Sequence, residues 1–221
     1  MKGKEFNDLM KTIGAIKPII ADKVKMSGTL HIVDTHHVAV MIVRAIDGSP
    51  VFGVESEDAL NLKAVVKLPE KEVFNSGIFE NFYELSNDMS CYLFEKVDGS
   101  DCDKLKVLPM LDNHHDVEIP AKMLSEAVKA MKGISDYVTM EGSHGLLTMT
   151  AGNLTTMVSK ILGETSGIFK VMLPFDYVER VAKVAKNMVL MEYDTDYPAR
   201  WTWDDGCYEY SVIIAPRIDA E

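Results

Sequence analysis

The feature that most constrains this chain is a weak internal repeat that divides its 221 residues into two similar halves. From Phe6 to Pro18 the residues Phe6, Leu9, Met10, Ile13 and Ile16 fall on one helical face, and Ala121 to Met131 repeats this with Met123, Leu124, Ala127, Val128 and Met131. Each predicted helix is followed by a strand-like stretch ending Val-x-Met, Val24–Met26 and then Val138–Met140. A glycine turn follows each, at Ser27-Gly28 and Glu141-Gly142. Then come apolar stretches, Leu30–Val33 and Leu146–Met149, and alternating ones, Val38–Val43 and Leu154–Val158. The copies lie about 114 to 116 residues apart.

Each half carries a second predicted helix, Leu60–Leu68 in the first and Pro174–Asn187 in the second, where Pro174 suits the first turn because its missing N–H would be unsatisfied there. Strands are expected over Phe82–Glu95, Lys104–Val107, Asp116–Ile119, Met188–Tyr193, Arg200–Trp203 and Cys207–Ala215. The fold class is therefore α+β: two similar domains of antiparallel sheets with helices on one face. Residues 1–107 form the first domain and 117–221 the second, and the stretch 108–116, which mixes a proline, apolar side chains and a polar tail, is the connecting loop.

Charge follows the same division. Taking the helices as Lys4–Pro18, Leu60–Leu68, Pro120–Gly133 and Pro174–Asn187, they hold eleven basic and five acidic residues, and the rest of the chain holds twelve basic and 29 acidic, for a total of −11. The basic ones are Lys4, Lys11, Lys17, Lys63, Lys67, Lys122, Lys129, Lys132, Arg180, Lys183 and Lys186. One reading is that these are ordinary solvated faces. The other is a basic surface inside an acidic shell, able to touch phosphates without reading sequence. A chain this acidic is repelled by nucleic acid on average, so segregation is the one route to binding it. Three cysteines with no CxxC spacing argue against a disulfide scaffold and for a reducing compartment. No apolar run approaches a membrane span, and the N-terminus lacks a signal peptide's apolar core, so a cytoplasmic protein is expected.

Three segments resemble one family. Ile213–Glu221 (IIAPRIDAE) is similar to the "LAPKIE" ending of proliferating cell nuclear antigen (PCNA), especially the archaeal forms. Val33–Val40 (VDTHHVAV) resembles that family's "MDSSHVALV", and Tyr193–Arg200 (YDTDYPAR) its "GTDYPLKL". They occur in the family's order, and the duplicated architecture matches. The chain departs from the family in opening almost at once on a helix, where members begin with a strand, and in being shorter.

The resemblance implies a DNA-clamp fold and a homotrimeric ring around duplex DNA. Such a sliding clamp is a processivity factor that tethers replication and repair proteins near the nucleoid. The basic residues named above would face the DNA. Polymerase, clamp loader and other partners would insert a short peptide motif into a pocket formed by Val33, His37, Leu108, Met110, Leu111, Pro198, Ile214, Ala215 and Pro216. The same apolar residues read without the resemblance are simply core. Neighbouring subunits would pair an edge strand near Lys104–Val107 with one near Thr155–Ile161. No cofactor and no enzymatic activity are implied.

Two alternatives stay open. A clamp-derived scaffold or decoy would bind replication proteins without encircling DNA. A metal-dependent hydrolase would use Asp112, His114, His115 and Asp116, the one local cluster with ligand chemistry. His36 and His37 point to opposite faces of a strand and cannot readily share a metal. Cys207, in a predicted strand, reads as a buried structural thiol. Trp201 and Trp203 share a strand face and read as packing. The sequence holds no Walker loop, GxGxxG, GxSxG or HExxH pattern.

Overall fold

The computed structural model describes residues 1–16, 23–27, 29–33, 39–48, 51, 58–98 and 115–217. The chain divides into two compact units, Met1–Leu108 with Asp205–Tyr210, and Pro109–Asp204 with Ser211–Glu221.

The first unit opens on α1 (Gly3–Ile16), whose buried side chains Phe6, Leu9, Ile13 and Ile16 are the apolar series of the sequence. The helix is described as far as Ile16. The strands are β1 (Lys23–Ser27), β2 (Thr29–Val33), β3 (Ala39–Ala45), β4 (Ala59–Asn61), β5 (Asn75–Ile78), β6 (Phe82–Ser86) and β7 (Cys91–Val97). They neighbour one another in the order β5-β6-β7-β4-β1-β2-β3. Pairing is antiparallel, with Val24 opposite Leu60, Leu30 opposite Val43 and Tyr83 opposite Phe94. The β4–β7 junction is fastened by polar links: the Tyr83 hydroxyl donates to Asp58 O at 2.9 Å, and Lys96 Nζ lies 3.1 Å from the Asp58 carboxylate and 5.3 Å from the Tyr83 ring centre.

The helix expected at Leu60–Leu68 does not form. This stretch is the end of β4, a single 3-10 turn (Leu62–Ala64) and extended chain. Asn61 takes the N–H of Lys63 onto its own side chain, which stops the turn from propagating backwards. Val65 and Val66 favour extended backbone, and Pro69 disfavours helix at Leu68. The extended end is then clamped to α1: the Asn7 side chain accepts the Leu68 N–H at 2.8 Å and donates to its carbonyl at 2.7 Å.

The second unit follows the expected plan closely. Its elements are β8 (His115–Pro120), α2 (Ala121–Met131), β9 (Tyr137–Ser143), β10 (Leu146–Gly152), β11 (Met157–Glu164), β12 (Phe169–Pro174), α3 (Phe175–Val184), β13 (Met188–Tyr193) and β14 (Ala199–Asp204). The closing strand β15 (Tyr208–Ile214) gives Tyr208–Tyr210 to the first unit and Ser211–Ile214 to the second. One sheet has the order β11-β10-β9-β12, and β14, β13 and β8 are successive neighbours in another. Alternation is clean: Val138, Met140, Leu147, Met149, Ala151, Val171 and Leu173 are buried, while the residues between them face out. β9 and β10 join through His144-Gly145, both at positive φ (52° and 80°), the backbone of a two-residue type I′ hairpin, for which glycine is favoured. Pro174 stands at the N-cap of α3, one residue ahead of the helix.

Two sequence expectations are corrected here. Leu154–Val158 is not a strand throughout: Asn153 Oδ1 accepts the N–H groups of Thr155 and Thr156 at 2.9 and 2.8 Å, making a turn that leaves Leu154 fully exposed, and β11 begins only at Met157. Cys207 is exposed rather than buried, because Asp205 Oδ1 accepts the Cys207 and Tyr208 N–H groups and turns the chain just before β15. Trp201 and Trp203 are core residues, as their shared strand face predicts.

The Asn7 clamp generates a test. Asn7→Ala leaves the Leu68 backbone groups without that partner and should lower stability by about 1–2 kcal/mol, read as a lower urea midpoint with unchanged slope.

Candidate functional site

The helices put their apolar residues on the sheets, and the residues between point away. Lys4 and Lys11 on α1, Lys122 and Lys129 on α2, and Lys183 on α3 are exposed, and Arg180 on α3 is half-buried. Lys63 lies in the 3-10 turn and Lys67 on the extended segment after it; Lys132 follows the end of α2, and Lys186 lies just past α3. Lys17 lies outside the described residues. With the observed boundaries, helical residues include seven basic and five acidic side chains, a much smaller excess than the longer predicted helices gave.

Ion pairs trim the excess further. Glu179, half-buried on α3, takes Lys132 at 2.7 Å and Lys183 at 3.2 Å. The Lys132 hydrogen bond is the largest of the effects that hold the Glu179 carboxyl below the usual carboxylate range, against the opposing effect of burial. Because Lys132 sits at the end of α2, the pair also ties α2 to α3. Lys122 meets Glu126 one turn on at 4.0 Å, a solvated and weak contact. Lys67 pairs with Glu70 at 2.9 Å. Lys129 is exposed and has no ion pair among the described residues.

Two depressions adjoin these helices, one in each unit. In the first unit a depression of about 480 Å³ is lined by Asp8, Lys11, Val66, Lys67 and Glu70 among others, so the two lysines sit among carboxylates. In the second, a cleft of about 670 Å³ runs from Lys132 past Asp136 and Asn153 to Asp176 and Glu179, and is more acidic than basic. The outer face of the β9–β12 sheet has a third hollow, about 350 Å³, between Tyr137, Thr150, Met157, Met172 and Arg217. Arg217 closes it: its N–H donates to Met172 O at 2.8 Å, and its guanidinium lies 4.5 Å from the Tyr137 ring centre. Arg217 belongs to the C-terminal motif, but nothing in the sequence signals this contact.

The expected peptide pocket is described only in part. His37, Leu108, Met110 and Leu111 lie outside the described residues, and for Val33 only the backbone, in β2, is described. Pro198, Ala215 and Pro216 are half-buried, whereas Ile214 is wholly buried and packs in the core. Of the proposed metal cluster, Asp112 and His114 lie outside the described residues. His115 stacks on Tyr193 with ring centres 5.9 Å apart, and no group of three potential metal ligands occurs among the described residues. Tyr193 in turn stacks on Phe169 at 3.6 Å and hydrogen-bonds the Thr165 hydroxyl; burial pushes its phenol above the ordinary tyrosine range.

These features can be set beside known proteins. The fold is the DNA-clamp fold. Matching chains include a PCNA from A. fulgidus, in a structure with the C-terminal region of FEN-1 bound (TM-score 0.79, 21% identity, 100% of this chain and 98% of that one). PCNA of Thermococcus kodakaraensis matches with a TM-score of 0.76 and 21% identity, over 98% of each chain. A chain of the PCNA2–PCNA3 complex of Sulfolobus tokodaii matches with 0.74 and 14%, over 98% of this chain and 97% of that one. In sequence, the chain is 28% identical over 140 residues to a DNA polymerase sliding clamp of Methanothrix thermoacetophila, a match spanning 59% of this chain and 57% of that protein. No model of a protein family matches the chain. No described helix is long and apolar enough to cross a membrane.

The Glu179 pairs carry a pH signature. A carboxyl with a depressed native pKa adds stability above its unfolded pKa and loses it as pH falls through the native value. Glu179→Gln should therefore cost about 1 kcal/mol near pH 7, and the difference from wild type should vanish as the pH falls below the ordinary carboxylate range, which urea titrations across that range would measure.

Proposed function

We propose that this chain is a DNA sliding clamp that encircles duplex DNA as a homotrimer and tethers polymerase and other replication and repair proteins. The observation that carries the reading is the end-to-end match of the duplicated α+β architecture to an archaeal PCNA, with a TM-score of 0.79 over the whole chain. Sequence similarity to a polymerase sliding clamp supports it independently. On this reading the protein works without bond chemistry and resides with the nucleoid. Its exposed helical lysines face the DNA, and weak, salt-screened phosphate contacts let it slide.

Subunits join by edge strands. β11 suits that role: among the described residues it ends its sheet, and it exposes Met157 and Ile161 along its length. Its expected partner at Lys104–Val107 lies outside the described residues. Partner peptides dock beside the connecting loop, with Pro198, Ala215 and Pro216 on the described side of the pocket, in the helix-in-groove manner.

The test is clamp function itself. Sedimentation should give a species near three times the 24.6 kDa chain mass. With a clamp loader, the protein should make polymerase synthesis processive on primed circular DNA. A strict monomer that gives no processivity overturns the reading, and peptide binding without processivity identifies a scaffold instead.

The face of α2 supplies a sharper measurement. Lys122→Glu with Lys129→Glu reverses two exposed charges and leaves the Glu179 pairs intact. Folding should change by less than about 0.5 kcal/mol. Partner-peptide affinity should hold, while processivity falls and is lost at lower salt than for wild type. Unchanged processivity across a salt series would mean that α2 does not face DNA.

A further inference from the structure

The internal repeat is legible down to single hydrogen bonds. At the head of α2, the Ala121 N–H donates to Asn187 O at 2.9 Å; at the head of α1, the Gly3 N–H donates to Glu72 O at 2.9 Å. Counted from those bonds, Phe6, Leu9 and Ile13 of α1 match Leu124, Ala127 and Met131 of α2, and all of them are buried. One flank breaks the match. Val128 is 4% exposed, whereas its counterpart Met10 is half-buried. Val128 stands a turn before Lys132, which meets Glu179 of α3, so this is the side of α2 turned to α3. Met10 is on the matching side of α1, a turn from Asn7, which holds Leu68.

The same count, carried back from Glu72 and Asn187, sets Leu60–Pro69 against α3. Leu60 matches Phe175, and both are buried. Beyond them the apolar face of α3 has no equivalent. Val178, Val181 and Ala182 are buried, while Lys63, Val66 and Lys67 in their places are exposed, Val66 by 51% against 1% for Val181. Leu62 and Leu68 of the segment are buried, yet a depression of about 480 Å³ remains beside α1, with Asn7, Met10, Val65 and Val66 in its walls. Both walls are internal to the chain.

We infer that this depression is a docking groove for an amphipathic helix of a partner polypeptide, seated beside α1 as α3 sits beside α2. The second unit shows the occupant: a helix that presents apolar residues at the spacing of Phe175, Val178, Val181 and Ala182, and that meets α2, β9 and β12. Met10 and the two valines supply an apolar wall, and the flexible thioether adapts to what it meets. Charge does not select the partner. Lys11 and Lys67 line the groove together with Asp8 and Glu70, Lys67 pairs with Glu70 at 2.9 Å, and Lys4 also acts on Glu70, so the lining carries both signs. A helix is favoured over an extended strand because Asn7 already takes both backbone groups of Leu68. The inference rests on the repeat and not on the clamp reading. On that reading Lys11 and Lys67 are among the DNA-facing residues, and helix and duplex compete for this place.

The probe is α3 itself as a peptide: residues 175–187 of this chain, blocked at both ends, with the Glu179 and Lys183 side chains joined as an amide so that the helix is formed in advance. Its control carries Val178→Asn and Val181→Asn at the same net charge. The intact protein is labelled with carbon-13 at its methionine methyls, and Met10→Leu identifies the Met10 signal. The α3 peptide should bind saturably and shift that signal, and the control should bind about tenfold more weakly or worse. Val66→Glu, a change at an exposed residue, should weaken the α3 peptide by about tenfold or more and leave the thermal midpoint close to wild type. If that variant fails to fold, the two peptides and the Met10 signal still decide. Equal binding of both peptides, no shift of Met10 up to the peptide's solubility limit, or undiminished binding to folded Val66→Glu would each overturn the inference. So would a Met10 signal that moves with protein concentration alone, which would assign the groove to a second copy.

Discussion

A helix can lie flat on an antiparallel sheet only if the strands beneath it turn alternate side chains toward it, and this constraint organises each unit. In the second unit α2 offers Leu124, Ala127, Val128 and Met131, and α3 offers Val178, Val181 and Ala182. The β9–β12 sheet answers with Val138, Met140, Leu147, Met149, Val171 and Leu173. Each fully buried side chain of this size contributes about 1.5–3 kcal/mol relative to exposure. A one-residue slip in any of these strands would turn its set outward, so the register is fixed by burial rather than by the turns alone. The polar faces of the helices are what remains once the apolar faces are spent on the sheet, and the exposed lysines are a consequence of the packing.

That origin explains why the basic surface is mild. The residues that break the pattern are acidic and sit where they brace the fold, above all Glu179, which holds Lys132 and Lys183 and so couples α2 to α3. A face of many unpaired lysines would grip phosphates and arrest a sliding protein. One whose charges are partly offset within the fold keeps each contact weak and leaves its sum sensitive to salt. On the clamp reading, the same ion pairs serve packing and keep the hold on DNA loose.

Where periodicity and burial coincide, the sequence is easy to read. Met188–Tyr193 is a strand to the residue, and the apolar series of Ala121–Met131 lies in a helix with those bounds, two residues short of the Gly133 end expected for it, because alternation or the 3.6-residue period runs unbroken through them. Leu60–Leu68 has the right spacing of apolar residues for a helix, yet the Asn7 side chain, 61 positions away, supplies the hydrogen bonds that keep Leu68 extended. No local pattern can announce that clamp. Leu154–Val158 fails for the opposite reason, since the deciding residue, Asn153, stands one place before the alternating stretch and captures its N–H groups. The basic residues were legible as types and positions, whereas their partners were not: nothing in the sequence links Lys132 to Glu179 across 47 positions. For the peptide pocket, a motif could nominate residues, but most of them lie outside the described residues.

The two units solve one problem with unequal material. In the second, six residues of β8 shield the flank of β13 and deliver the chain into α2. In the first, Met1 and Lys2 take the corresponding positions, and two backbone bonds to Phe74 and a bridge to Val73 fix the head of α1. The approach is so close that a side chain on Gly3 would collide with the carbonyl of Pro69. The helix is therefore anchored as firmly at its first residue as α2 is, because the anchoring bond, from the first helical N–H to the carbonyl before the next strand, is the same in both. A plainer difference lies further on, where the second unit has α3 and the first only the 3-10 turn Leu62–Ala64, so the helix–sheet packing common to both rests on α1 and α2.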